Sequence, residues 1–297
     1  MKDRYDMVSR LNLNACLSFM GTRPDFLKEG LLNGIVMNDL SYITIQSDFA
    51  PIYFLPSDSA IDENVALSKF STEVRQKALT MTHPLRRSEF VKSRWLFRRV
   101  SKLDSDPVLS DYGDLIWPKG FKGSFSHKSG QVALALKESD SDQVFSLGVD
   151  LERASVNENI REKVVTDAEW SLILKAFSEF PPQKILAAIF SAKESIFKAL
   201  YPLVKRKFWF DAAVYVGCDN IKSYSGFNGD AHQPGAISKK LSNSSSVVVS
   251  ENVINLNFLI ADSLGLGMKM PLTVQYRDMT VGGETFVLTV TKYFPGE

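Results

Sequence analysis

Two stretches constrain this chain more than any others: Gly148-Val149-Asp150-Leu151-Glu152 and Phe190-Ser191-Ala192-Lys193-Glu194-Ser195-Ile196-Phe197-Lys198. The first closes an apolar, β-branched run from Val144 that reads as a strand. Side chains two apart on a strand share a face, so Asp150 and Glu152 point the same way. The second reads as a helix, where residues four apart share a face, setting Glu194 beside Lys198. The fold is therefore expected to bring a strand end and a helix flank together. Three carboxylates and an ammonium on two rigid elements suit a hard cation bridging a phosphate ester, because magnesium prefers oxygen ligands and keeps waters and substrate phosphates in its shell. Each half also has a plain reading: acids at a strand end are commonly just solvated, and a Glu–Lys pair at this spacing is a common surface salt bridge of a few tenths of a kcal/mol. Gly148 favours the functional reading, since glycine in a strand marks close approach by another backbone or a ligand. So does the position of Glu194, at the border of the apolar arc Leu186, Ile189, Phe190, Ile196, Phe197 and Leu200.

Along the chain, Ile35-Val36-Met37 and Tyr42–Ile45 read as strands, with Pro51, Pro56 and the Ser/Asp cluster at 57–63 marking a loop. Residues 65–103 are mostly helical in pattern, broken around Thr82-His83-Pro84; the second helix, 85–103, carries Phe90, Val91, Trp95, Leu96 and Val100 on one side and its arginines on the other. Residues 104–120 read as a loop. Strand patterns at 123–127 and 131–137 are joined by Lys128-Ser129-Gly130, a hairpin turn. Thr166-Asp167-Ala168-Glu169 has the form of a capping box, and Pro181-Pro182 ends that helix and starts another running to about Tyr201. The Asn/Gly/Ser-rich stretch 223–246 reads as an exposed, mobile loop, and strands at 253–260, 272–276 and 285–290 finish the chain. Strands and helices thus recur in two rounds about a seam near 140–155. This predicts two α+β lobes, 1–145 (with an extra segment, 1–60) and 146–297, with the acidic cluster between them.

With 35 basic and 34 acidic residues the net charge is +1, so no global field argues for nucleic acid or a membrane surface. The local exception is Arg86–Arg99, with six positive charges against one negative. Cys16 and Cys218 give no disulfide framework, and His83, His127 and His232 are too scattered for a zinc site. Nothing approaches the roughly 18 apolar residues of a membrane span. Leu11–Met20 is too short and too interrupted by Asn12 and Asn14 for a signal sequence. The chain is read as soluble and cytoplasmic.

Around His127, the residues Gly123, Ser124, Ser126 and Gly130 leave backbone N–H groups open to an anion. Ser126 and His127 point to opposite faces of a strand, which argues against a Ser–His nucleophile pair. Arginine suits bidentate phosphate recognition, although a basic helix face is usually only solvated. Glu169 is explained by its capping box, and Lys205-Arg206-Lys207 reads as a solvated turn.

Three ordered blocks, Arg87-Ser88-Glu89-Phe90 with Arg94, then Trp117-Pro118 with Gly123-Ser124-Phe125-Ser126-His127 and Gly148–Glu152, then Phe190–Ser195 with Lys198, make residues 85–215 resemble the 4′-phosphopantetheinyl transferases. The resemblance is to the larger, two-lobed group of the enterobactin- and surfactin-synthetase type. It implies an α+β fold of two similar lobes related by a pseudo-twofold axis, each a small antiparallel sheet with a packed long helix, with coenzyme A in the cleft. It implies further that Asp150, Glu152 and Glu194 hold Mg²⁺ on the coenzyme A pyrophosphate, that Lys198 contacts the same phosphates, and that His127, Ser126, Arg94 and Arg87 contact the 3′-phosphate and nucleotide end. The implied reaction moves the phosphopantetheine arm to a serine of an apo carrier protein (peptidyl, aryl or acyl), releasing 3′,5′-ADP. Glu194, directly or through water, or Glu169 would take the serine proton.

Phe190 stands where many members have tryptophan, and the lysine many carry before the Ser-His block has two nearby counterparts, Lys119 and Lys122. Siderophore assembly is the pathway the resemblance suggests, and a monomer follows from a site built within one chain. Two other classes compete: a non-catalytic coenzyme A or carrier-binding module of the same fold, and a different Mg²⁺-dependent phosphotransferase or hydrolase, for which no P-loop or glycine-rich dinucleotide loop speaks.

Overall fold

The computed structural model describes residues 35–38, 42–139, 145–219, 236–240, 246–266 and 270–295. All belong to the compact unit Leu31–Glu297, the other unit being Met1–Gly30. The stretch Leu11–Met20 and most of the segment 1–60 before Tyr42 lie outside the described residues.

The fold is α+β, with antiparallel sheets and helices packed on them. The first sheet has five strands in the order β1 (Ile35–Asn38), β2 (Tyr42–Ile45), β3 (Ile52–Leu55), β7 (Gln131–Glu138), β6 (Phe121–Lys128). Strand β3 lies between Pro51 and Pro56, in a stretch whose flanking prolines read as loop; its apolar residues pair with β2 and β7. Between β3 and β6 come α1 (Glu63–Lys69), α2 (Thr72–Thr80), α3 (Pro84–Ser101) and the two-residue strands β4 (Val108–Leu109) and β5 (Leu115–Ile116), which sit inside the expected loop 104–120. Helix α3 starts at Pro84 behind an N-cap His83, as a proline with no N–H to satisfy should.

The second sheet has seven strands among the described residues. Its central path is β10 (Ala236–Lys240), β11 (Ser246–Ser250), β13 (Met270–Val281), β12 (Ile254–Ile260), β9 (Ala213–Asp219), and β14 (Glu284–Tyr293) joins β13 to β8 (Ser146–Arg153). Strands β9 and β11 gave no recognised pattern, and β10 overturns part of the expected loop 223–246: its backbone pairs with β11 from Ala236↔Ser250 to Lys240↔Ser246. The rest of that loop lies outside the described residues. Between β8 and β9 run α4 (Arg161–Val164), α5 (Asp167–Ala176) and α6 (Pro182–Val204).

The two-residue period of the strands sorts their side chains into layers. Ile43, Ile45, Ile52, Phe54, Ala133 and Ala135 of the first sheet share one core with Val149, Leu151, Met279, Phe286, Leu288 and Val290 of the second, so the sheets pack face to face. The alternate residues turn outward. Leu55, Val132 and Leu134 meet Leu96 and Phe97 of α3, and Val274, Tyr276 and Val287 meet the apolar side of α6. The order through the molecule is α3, first sheet, second sheet, α6.

On β8 this parity sends Val149 and Leu151 into the shared core and Gly148, Asp150 and Glu152 toward α6. A Cβ at Gly148 would stand 1.8 Å from the Ser195 carbonyl oxygen, so α6 lies directly on the strand there. That is the close approach the glycine predicts.

Candidate active site

Among the described residues, strand β8 pairs with β14 on one edge only. Its other edge meets β6, and side chains of β6 make the connection. Ser124 Oγ accepts from Val149 N and Ser126 Oγ from Leu151 N, each at 3.1 Å. The Ser-x-Ser spacing is thus a strand face laid along a neighbour's free backbone N–H groups, which would otherwise be buried without partners.

Two cations and the acids meet on this seam. Lys198 Nζ donates to Asp150 Oδ1 at 2.7 Å, Ser126 Oγ at 3.0 Å and Val149 O at 3.1 Å, using all three of its donors. Lys128 Nζ lies 2.5 and 2.8 Å from the two carboxylate oxygens of Glu152. Asp150 and Glu152 are buried. Glu194 is half-buried and, among the described residues, has no hydrogen-bond or ion-pair partner; Lys198, four residues on, is turned to Asp150 instead. Burial pushes the Glu194 carboxyl above its usual range, and the charges of Asp150 and Glu152 add to this, against the pull of Lys198. Strand and helix therefore converge as expected. Yet among the described residues no three acidic, His or Cys side chains share one ligating point, which departs from the expected single grip on an ion. Like charges without a cation between them separate, and here lysines hold two of the three. The donor set is hard oxygen and the repulsion at Glu194 is uncompensated, so these residues fit a hard cation.

On the opposite face of β6, half-exposed His127 has Nδ1 3.0 Å from Glu89 Oε2. Glu89 Oε1 also accepts from Gly130 N at 2.9 Å, so one buried carboxylate fixes both the hairpin turn and the imidazole. Burial lowers the His127 pKa, and Lys198, Arg94 and Arg86 lower it further, against Glu89. Arg94 is not on a solvated face: it is buried, with its guanidinium 3.9 Å over the Phe90 ring and Nη1 2.9 Å from Ser93 Oγ. Among the described residues its Nε has no hydrogen-bond partner, and burial pushes its pKa down to about 10. A buried guanidinium with a free donor is a site for an anion. It borders a cavity of about 330 Å³ together with Lys77 and Leu109.

Three expected contacts are placed otherwise. Arg87 pairs with Glu63 of α1 at 2.5 Å; it is its neighbour Arg86, which the motif did not single out, whose charge reaches His127 alongside that of Arg94. Ser126 donates to Asp150 at 2.9 Å and accepts from Leu151 N and Lys198, which fills a hydroxyl's capacity and leaves nothing for a nucleotide. Glu169 is committed on both oxygens: Thr166 N at 3.0 Å on one, Lys193 Nζ at 2.8 Å and Tyr215 N at 2.9 Å on the other. Burial would raise its pKa, but these donors hold it below the usual range. It is a structural carboxylate that ties α5 to α6 and β9. In the basic turn, Lys205 pairs with Asp114 at 2.5 Å, so it is not simply solvated.

A cavity of about 260 Å³ opens beside Glu194, walled by Phe197, Phe208, Trp209 and Phe210. A second, of about 390 Å³, opens beside Lys198 between Tyr112, Trp117, Phe125 and Tyr201. Phe197 and Lys207 border both.

The model of the 4′-phosphopantetheinyl transferase superfamily matches residues 146–248. The chain is similar to the 4′-phosphopantetheinyl transferase PptT of Mycobacterium tuberculosis, 28% identical over 197 residues, covering 63% of this chain and 75% of that protein. It is also similar to the 4′-phosphopantetheinyl transferase Npt of Nocardia iowensis, 30% identical over 133 residues, covering 43% of this chain and 58% of that protein, less than two thirds of its length. No helix among the described residues is long and apolar enough to cross a membrane.

Proposed function

This chain belongs to the 4′-phosphopantetheinyl transferase superfamily, and we propose that it transfers the phosphopantetheine arm of coenzyme A to a serine of an apo carrier protein, releasing 3′,5′-ADP. The observation that carries this is the meeting of Asp150 and Glu152 of β8 with Glu194 and Lys198 of α6, beside a separate cationic group of His127, Arg94 and Arg86.

The serine oxygen attacks the phosphorus that bears the pantetheine arm. The bond from that phosphorus to the oxygen bridging to the nucleotide half breaks, and the nucleotide leaves as 3′,5′-ADP. Such displacements need charge neutralisation and positioning more than covalent help. Asp150, Glu152 and Glu194 would hold Mg²⁺, which when bound supplies charge neutralisation at the diphosphate. Lys198, fixed by Asp150 and the β8 backbone, adds a positive charge to the floor of the site. Arg94, with its unpartnered Nε, and His127, oriented by Glu89, would bind the 3′-phosphate end, with Arg86 in place of Arg87 as the neighbouring arginine. With Glu169 committed elsewhere, Glu194 takes the serine proton, directly or through water. The aromatic cavity beside Glu194 suits the pantetheine arm. The described residues before 146 and those from 146 onward form the two lobes. The enzyme works as a cytoplasmic monomer on carriers of siderophore or other secondary-metabolite synthetases.

Mass spectrometry of a panel of apo carrier domains after incubation with the protein, coenzyme A and Mg²⁺ tests this. At least one carrier should gain the mass of one phosphopantetheine arm, and chelation should stop the gain. No gain on peptidyl, aryl or acyl carriers would refute the reading.

A further inference from the structure

The two lysines at the acids differ in how they are held. Lys198 is locked by three bonds, one to a backbone carbonyl. Lys128 is held by Glu152 alone among the described residues, and its side chain is 38% exposed against 11% for Glu152. It completes a ladder along one face of β6, in which Ser124 and Ser126 meet the β8 backbone and Lys128 meets the β8 carboxylate. Glu152 is fixed independently by Arg153 N at 2.8 Å. Lys128 can therefore swing into solvent without disturbing either strand, whereas Lys198 cannot.

We propose that Lys128 is a positioning residue, an exchangeable internal counter-ion that occupies Glu152 until a divalent cation displaces it. This rests on the metal role given to Glu152 above. With both lysines in place, the three carboxylates and two ammoniums together carry a net charge of −1, too little to draw a divalent ion strongly. Displacing Lys128 costs its attraction to Glu152, so the ion binds weakly alone. When the diphosphate of coenzyme A is present the freed ammonium has a new anionic partner. Ion and coenzyme A then bind cooperatively, and by linkage each tightens the other by the same factor.

Free Mn²⁺, counted by electron paramagnetic resonance, reads this without turnover, for the wild type, Lys128→Met and Lys128→Arg, each with and without coenzyme A. Lys128→Met should bind Mn²⁺ alone roughly tenfold more tightly than the wild type, about 1.4 kcal/mol. Its gain from added coenzyme A should shrink, and Lys128→Arg should keep the wild-type pattern. Unchanged or weaker Mn²⁺ binding by Lys128→Met, with ordinary binding by the wild type, overturns the counter-ion role and leaves the metal assignment standing. No Mn²⁺ binding by any form, with or without coenzyme A, overturns both. Circular dichroism checks folding, and Lys128→Gln replaces Lys128→Met if the latter is unfolded.

Discussion

At the scale of the residue, the site is defined by which group each side chain was left free to meet. Glu194 carries the clearest consequence. Its folded pKa is raised, first by burial and then by Asp150, so it opposes folding as pH rises from the unfolded value near 4.5, and fully above its folded value. Below the unfolded value both states are protonated and the penalty is absent. Glu194→Gln should therefore raise the melting temperature of the metal-free protein at pH 7–8 by roughly 2 °C, the effect of a little under 1 kcal/mol in a domain of this size, with screening at a half-exposed group taken into account. At pH 4 the gain should disappear, and carrier loading should be lost at every pH. Calorimetry across that range checks it; an equal gain at pH 4 would show that the charge is not the cause. The sequence set Glu194 and Lys198 on one flank, because a helix fixes which residues share its flank. It could not show that Lys198 prefers Asp150, that Arg87 turns to Glu63, or that Glu89 orients His127. Each of those depends on a partner at least 24 residues away.

At the scale of the element, the seam depends on how closely α6 lies on β8. Gly148→Ala would drive its methyl into the Ser195 carbonyl, a backbone atom that moves only with the helix. Overpacking of this kind costs about 1–3 kcal/mol or more, and the shift would carry Glu194 and Lys198 away from Asp150. Urea denaturation should show the loss and carrier loading should fall well below wild type; wild-type values in both would mean that α6 does not rest on the strand. Ser124→Ala with Ser126→Ala tests the other side of β8. It leaves the Val149 and Leu151 N–H groups without acceptors, at about 1–3 kcal/mol each, and hydrogen exchange at those two amides should accelerate. Unchanged exchange would mean the hydroxyls do not hold the edge. The long helices, the β6–β7 hairpin and the capping box at Thr166 were legible because local spacing and cap chemistry set them. Strands β3, β9 and β11 were not. β3 and β11 are short, and β9 opens on an all-apolar run, Ala213–Val216, whose alternation between buried and exposed appears only once it pairs with β12.

At the scale of the whole molecule, the shared core between the sheets argues that the described fold melts as one unit, since Phe54 and Phe286 are buried against the same cluster. Trp95 and Trp117 report on the first sheet and Trp170 on the second. Tryptophan-to-phenylalanine variants that keep only one set should unfold at the same urea concentration as the circular dichroism signal, and separated transitions would mean the halves fold independently. The sequence by itself determined the periodicities: which acids share a strand face, which acid and lysine share a helix flank, and where glycine permits contact. Only the tertiary structure decided which of those faces meet. The backbone sets direction within a few residues, while the choice between Lys198 and Lys128, or Arg86 and Arg87, depends on charges and burial contributed by distant parts of the chain.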